Sequence, residues 1–291
     1  MKILIIGAKG MLGQELAKEF SDKRQETSKV YAWDREEIDI TNEAEAVEKI
    51  KALKPELIIN CAAYNAVDKA EGEVDVANKL NGEAVGYLAK ISKELGAVLV
   101  QYSTGYVFRG DKPSYREDDE PNPINAYGRS KLLGEKMLQE NCEKHYLIRT
   151  NLLFGRPAAG VNGKKSFVEI MLQKAGETDK IEVVNDEFSN PTYVVDLARA
   201  TYELIDKNYS FGIYHLINDG QASWYDWAKE IFTIKNIKIN LIPISGEKLK
   251  RQAERPRYSV LANTKFPKLR SWQEAVSEHL ANKSEPESKL A

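Results

Sequence analysis

Short apolar runs alternate with helical stripes along the first two-thirds of the chain. KILIIG (2–7), KVYAWD (29–34), LIINCAA (57–63), GAVLVQ (96–101) and HYLIRTNLLFG (145–155) have the length and β-branched content of buried strands. Between them, apolar residues recur at helical spacing. Leu12, Leu16 and Phe20 form one stripe, and Val47, Ile50 and Leu53 form another behind an Asn42/Glu45 capping box. Val76, Leu80, Ala84, Leu88, Ile91 and Leu95 face inward on a long helix over 73–95, closed by Gly96. A further helix is predicted over 126–140, after a loop that holds Pro113, Pro121 and Pro123. This alternation predicts an α/β fold, a doubly wound parallel sheet of the Rossmann type with helices on both faces.

Beyond Arg156 the pattern loosens. GRPAAGVNGKK (155–165) reads as a loop, because it carries three glycines in eleven residues. IEVVND (181–186), GIYHLIND (212–219) and KINLIPI (238–244) read as strands, and SWYDWAKEIF (223–232) as a short aromatic helix. NKSEPESKLA at the end reads as a frayed tail. The expected organisation is a main domain over 1–155, with chain returning to its sheet around 181–217. Residues 156–180 and 218–291 then build a smaller C-terminal α/β lobe, whose core takes Trp224, Tyr225 and Trp227.

Composition removes several alternatives. The chain has 291 residues, 42 basic and 44 acidic, for a net charge of −2, and its basic residues are scattered, so no nucleic-acid partner is expected. No apolar run approaches the ~20 residues that cross a bilayer, so no membrane partner is expected either. Cys61 and Cys142 lie in unrelated segments, which fits a reducing, cytoplasmic setting. His145, His215 and His279 have no cysteine at ligand spacing, so no metal site is expected.

Two motifs carry chemistry. GAKGMLG (7–13) places Gly7, Gly10 and Gly13 at G-x-x-G-x-x-G spacing, directly after the first strand and at the start of a helix. Glycines there let backbone approach a pyrophosphate, and the N–H groups of Met11, Leu12 and Gly13 at the helix start would receive it. Asp34 ends the second strand, where an acidic partner for a ribose hydroxyl favours NAD. Arg35 and Lys9 beside it suit a 2′-phosphate and favour NADP, so NADP or NAD is the expected cofactor. Asp39 is a further adenine- or ribose-side candidate. In AYGRSKLLGEK, Tyr127 and Lys131 are four apart and share a helix face. A neighbouring ammonium lowers the pKa of a phenol and makes it a usable acid–base group.

With these elements in place the sequence resembles the extended short-chain dehydrogenase/reductase family, and within it the dTDP-4-dehydrorhamnose reductase family. The pieces that carry the resemblance are GAKGMLG, NCAAYNAVDKAE, STGYVF, PINAYGRSKLLGE, FSNPTYVVDLA, YHLIND with SWYDWAKEIF, and RPRYSVL. It implies NAD(P)H-dependent reduction of the 4-keto group of a nucleotide sugar, with dTDP-4-dehydro-L-rhamnose giving dTDP-L-rhamnose for cell-surface polysaccharide. Another nucleotide-4-keto sugar, an epimerase, or a non-catalytic NADP-binding regulatory subunit stay open as alternatives.

By resemblance, Tyr127 is the proton donor, Lys131 tunes it and holds the nicotinamide ribose, and Thr104 orients the carbonyl, with Ser103 as the rival hydroxyl. Ala62, Ala63 and Tyr64 line the cofactor. Tyr106, Leu152 and Arg255 belong to the substrate side, with Arg257 beside Arg255 as a second diphosphate candidate. The family form of the strand-end motif is S-T-D-Y-V-F, so Gly105 stands in an aspartate's place. Leu152 replaces a tryptophan and Asn65 a threonine, all three expected to face substrate or nicotinamide. A homodimer is an open possibility.

Overall fold

A run of four buried residues, Ile3 to Ile6, begins the central sheet, and each later apolar run adds a strand beside it. The computed structural model describes residues 1–24, 28–159 and 165–282. Its elements in chain order begin β1 (Lys2–Ile6), α1 (Met11–Lys23), β2 (Lys29–Trp33), α2 (Glu43–Leu53), β3 (Leu57–Asn60) and α3 (Val74–Asn78). A π-helical turn (Lys79–Glu83) joins α3 to α4 (Ala84–Leu95), and β4 (Val98–Thr104), α5 (Ala126–Asn141) and β5 (His145–Thr150) follow. The chain continues with β6 (Leu153–Phe154), α6 (Phe167–Glu177), β7 (Lys180–Val184), β8 (Phe188–Ser189), β9 (Thr192–Tyr193) and α7 (Val194–Asp206). It closes with β10 (Gly212–His215), β11 (Ala222–Ser223), α8 (Trp224–Ile234), β12 (Asn240–Ile244) and α9 (Trp272–Asn282).

Six strands form one parallel sheet in the order β10-β5-β4-β3-β1-β2. One face is covered by α1 and α7 through Leu12, Leu16, Phe20, Leu197 and Leu204. The other is covered by α2, α4 and α5 through Ala46, Ile50, Leu88, Ile91 and Leu138. The chain turns outward from β1 to β2, then crosses back to β3. That reversal opens a crevice at the carboxyl ends of β1 and β3, the usual ligand position in such sheets. The smaller lobe packs α6, α8 and α9 around Trp227, Phe154 and Val183, with Trp224 and Tyr225 against the same cluster.

Three details differ from the sequence reading. The long helix over 73–95 carries the π turn, and the residues before it lose the register that would face them inward: Val76 is 54% exposed while Ala77 is buried. The run 145–155 is not one strand, because Leu152 takes φ +39° and breaks β5 from β6. Residues 181–184 do not return to the main sheet; β7 pairs with β12, and only β10 rejoins, beside β5. The expected loop at 160–164 and the tail at 283–291 lie outside the described residues. Among the described residues no helix is long and apolar enough to cross a membrane.

Candidate active site

The glycine loop lies at the carboxyl edge of β1. Gly7 takes φ +77°, and a Cβ on it would sit 2.8 Å from the Ala62 backbone nitrogen, so β1 and the end of β3 approach backbone to backbone. A Cβ on Gly13 would fall 2.2 Å from the Gly7 carbonyl, so only glycine lets α1 start this close to the strand. Gly10 occupies the N-cap of α1 with no side-chain cap, and no acidic residue lies in the first turn. The N-terminal N–H groups are thereby left to an external anion, which fits a dinucleotide pyrophosphate. Met11 and Leu12 turn their side chains into the core, so they serve such a ligand by backbone alone.

Asp34 faces this loop from the end of β2. Its carboxylate accepts from the Lys9 N–H at 2.9 Å and from the Arg35 N–H at 2.9 Å, fixing the loop against the strand. Lys9 Nζ donates to Glu36 at 2.7 Å. Asp39 bonds the N–H and hydroxyl of Thr41, which hold its carboxyl below the usual range, so it closes its own turn. Ala62 and Ala63 line the β3 end of the crevice as half-buried small residues. The Tyr64 hydroxyl donates to Glu73 at 2.6 Å, which pushes its pKa up to about 12.

The catalytic candidates meet where β4 ends against the start of α5. Asn125 caps α5, accepting from the Gly128 N–H at 2.8 Å, which sets the first turn and Tyr127 with it. Tyr127 is hydrogen-bonded with Thr104, and its ring meets Tyr106 edge-on at 5.9 Å between centroids. Its hydroxyl also donates to Asn65 at 3.5 Å. Burial pushes the phenol up to about 12, against a downward pull from Thr104. Lys131 shares this face, but its Nζ donates to the Tyr102 carbonyl at 2.7 Å. Burial lowers the ammonium to about 8, with Glu135 opposing. Burial thus governs the phenol, and the Lys131 ammonium is anchored beside it on the Tyr102 carbonyl.

Ser103 turns away from Thr104 toward α5, where its hydroxyl donates to Glu135 at 2.5 Å. Arg149 on β5 donates to both Glu135 oxygens, at 3.0 and 2.7 Å, and lies over the Phe108 ring. This buried ion pair ties β4, β5 and α5 together one helical turn beyond Lys131.

Gly105 packs closely against Asn151 and Ser259. A Cβ there would meet the Ser259 carbonyl at 2.5 Å and the Asn151 amide at 2.7 Å. The Gly105 N–H donates to Asn151 Oδ1 at 2.9 Å, and Asn151 Nδ2 donates to Ser259 O at 2.6 Å. Asn151 fills the space a larger residue 105 would need. Leu152 packs against the core of the smaller lobe while half-exposed. Arg255 donates to Asp68 at 2.7 Å, and Arg257 is exposed and lies over the Tyr258 ring instead.

Sequence reading missed Asn151, Glu135, Arg251 and Asp68. Glu135 alone carried a local signal, lying four residues after Lys131 on the same face. The other three act through partners tens to hundreds of residues away. Among the described residues no group of three or more His, Cys, Asp or Glu could hold a metal.

An uncapped glycine-rich helix start at the sheet's switch point, beside a Thr–Tyr–Lys cluster, defines an oxidoreductase of the NAD(P)-dependent short-chain dehydrogenase/reductase type. Residues 1–285 match the family model described as RmlD substrate binding domain, and the chain belongs to that family. It is 34% identical to the spore coat polysaccharide biosynthesis protein SpsK of Bacillus subtilis, over 97% of this chain and 98% of that protein. The crystal structure of a dTDP-4-dehydrorhamnose reductase from Clostridium acetobutylicum superposes with a TM-score of 0.91 at 38% identity, covering 98% of this chain and 100% of that one. A dTDP-4-dehydrorhamnose reductase from Bacillus anthracis, in complex with NADP, gives a TM-score of 0.90 at 36% identity, covering 97% and 99%.

Proposed function

We propose that this protein reduces the 4-keto group of a nucleotide sugar, and that dTDP-4-dehydro-L-rhamnose, yielding dTDP-L-rhamnose, is its substrate. The observation that carries the reading is the meeting of Thr104, Tyr127 and Lys131 at the carboxyl edge of the sheet, opposite the glycine loop. The B. anthracis relative's NADP supports a nicotinamide dinucleotide here, and the B. subtilis relative's name supports a polysaccharide role. We place the reaction in the cytoplasm.

The reduced dinucleotide supplies the hydride. Gly7, Gly10 and Gly13 would admit its pyrophosphate to the α1 N-terminus, and Asp34, with Lys9 and Arg35 beside it, would hold the adenosine ribose. Thr104 orients the ketone oxygen. Tyr127, protonated at neutral pH with its pKa at about 12, gives that oxygen a proton as the hydride arrives at carbon, so the ketone becomes an alcohol. Thr104 and the Lys131 ammonium then stabilise the phenolate until solvent returns the proton.

The test is NADPH oxidation with a panel of dTDP-, UDP- and GDP-4-keto sugars. Turnover of dTDP-4-dehydro-L-rhamnose to dTDP-L-rhamnose is expected. Turnover of a UDP or GDP sugar alone would overturn the substrate, and tight NADPH binding with no turnover of any would overturn the enzyme.

A further inference from the structure

One turn beyond Lys131 on α5, a buried carboxylate is held from two strands at once. Glu135 Oε1 accepts the Ser103 hydroxyl at 2.5 Å and Arg149 Nε at 3.0 Å, and Oε2 accepts Arg149 Nη2 at 2.7 Å. Arg149 Nη1 donates to the Glu117 carbonyl at 3.4 Å, and its guanidinium lies 4.9 Å from the centre of the Phe108 ring. Glu135 and Arg149 are 1% and 2% exposed, so the pair lacks the solvent screening that leaves surface ion pairs weak and mobile.

Ser103 stands between the two strand residues that meet the catalytic pair. The Tyr102 carbonyl before it anchors Lys131 Nζ at 2.7 Å, and Thr104 after it bonds Tyr127. Few charges face the ammonium. On α5 the Tyr127 phenol is protonated at neutral pH, and at the end of β3 burial pushes the Cys61 thiol up, so both are neutral. The Tyr102 phenol turns to Thr201 instead. Glu135, four residues on along the same helix face, is the carboxylate that acts on Lys131, and it opposes the burial that favours the neutral amine.

We propose that Glu135 is a positioning residue for the reduction: gripped by Arg149 and Ser103, it is the fixed counter-charge that keeps Lys131 an ammonium beside Tyr127. This rests on the reading of the site as a keto-sugar reductase. The Arg149 fork holds the carboxylate where its charge reaches Lys131, while Lys131 Nζ stays on the Tyr102 carbonyl. A direct ion pair would draw the ammonium along the helix, away from the phenol it serves.

The test follows the Lys131 Nζ titration by NMR of lysine-labelled protein, with Lys131→Met identifying its signal, beside the pH profile of kcat for NADPH oxidation with a 4-keto sugar. Glu135→Gln leaves the Arg149 guanidinium buried without its partner, which costs stability. Glu135→Gln combined with Arg149→Met removes both charges and is measured alongside. In either variant the Lys131 midpoint should fall from about 8 to about 7. The alkaline limb of kcat should move with it, leaving about one-tenth of the low-pH plateau at pH 8 where wild type keeps about half. A Lys131 midpoint unchanged in the double variant, or kcat lowered equally at every pH, would overturn the proposal. Wild type that turns over no 4-keto sugar would overturn the reductase reading, while the Lys131 midpoints still decide whether Glu135 is the counter-charge.

Discussion

The edge proposed for the dinucleotide and the mouth proposed for the substrate are built by different means. The first is a matter of backbone: three glycines, one uncapped helix start and one carboxylate at a strand end, all within residues 7–34. The second is a matter of side chains brought from residues 68, 105, 151, 187, 251, 255 and 259, five separate stretches of chain. Backbone sites tolerate little change, because a single Cβ collides. Side-chain sites can be rebuilt by paired exchanges, and Gly105 and Asn151, which are in direct contact, are a pair of that kind.

The most direct way to break that contrast is Gly105→Asp, the residue the family form carries. Alone it should destabilise the protein by about 1–3 kcal/mol, the usual cost of overpacking, since the Asn151 amide and the Ser259 carbonyl already occupy the space. With Asn151→Gly alongside, part of that loss should return, a coupling of about 0.5–3 kcal/mol in a denaturant double-mutant cycle. Simple additivity would mean that the two positions do not form one unit.

A smaller effect sharpens the catalytic side. Lys131 titrates at about 8 in the folded chain against 10.5 ordinarily. In the proposed mechanism its ammonium stabilises the Tyr127 phenolate, so kcat should fall as pH rises through about 8. The sign for stability is opposite. Between about 8 and 10.5 the unfolded chain binds more protons at this lysine than the folded one, so its contribution to stability grows with pH. Activity lost above pH 8 while thermal stability holds or rises is the expected pattern; parallel loss of both would assign the activity change to unfolding.

The sheet, its helices and the glycine loop were legible because they rest on local periodicity and glycine spacing, and β1 and β2 follow the predicted bounds within a residue. Tyr127 and Lys131 were legible as an i, i+4 pair. Their electrostatics were not, because the Tyr102 carbonyl that takes the ammonium, and the burial that raises the phenol, come from tertiary packing. The π turn hid in an unbroken helical stripe, with nothing in KLNGE to mark the extra residue. The partners of Ser103 and Gly105 were not legible either. Alternation along β4 turns Ser103 away from Thr104 toward Glu135, and Gly105 meets Asn151 and Ser259 from distant segments.

The central claim is that Tyr127 donates the proton in reduction of a nucleotide-sugar ketone, and Tyr127→Phe tests it most directly. Phenylalanine keeps the ring against Tyr106 and removes only the hydroxyl. NADPH oxidation in the presence of dTDP-4-dehydro-L-rhamnose should drop by about 10²–10⁴-fold in kcat, with the NADPH dissociation constant nearly unchanged. A variant that retains wild-type kcat would contradict the account.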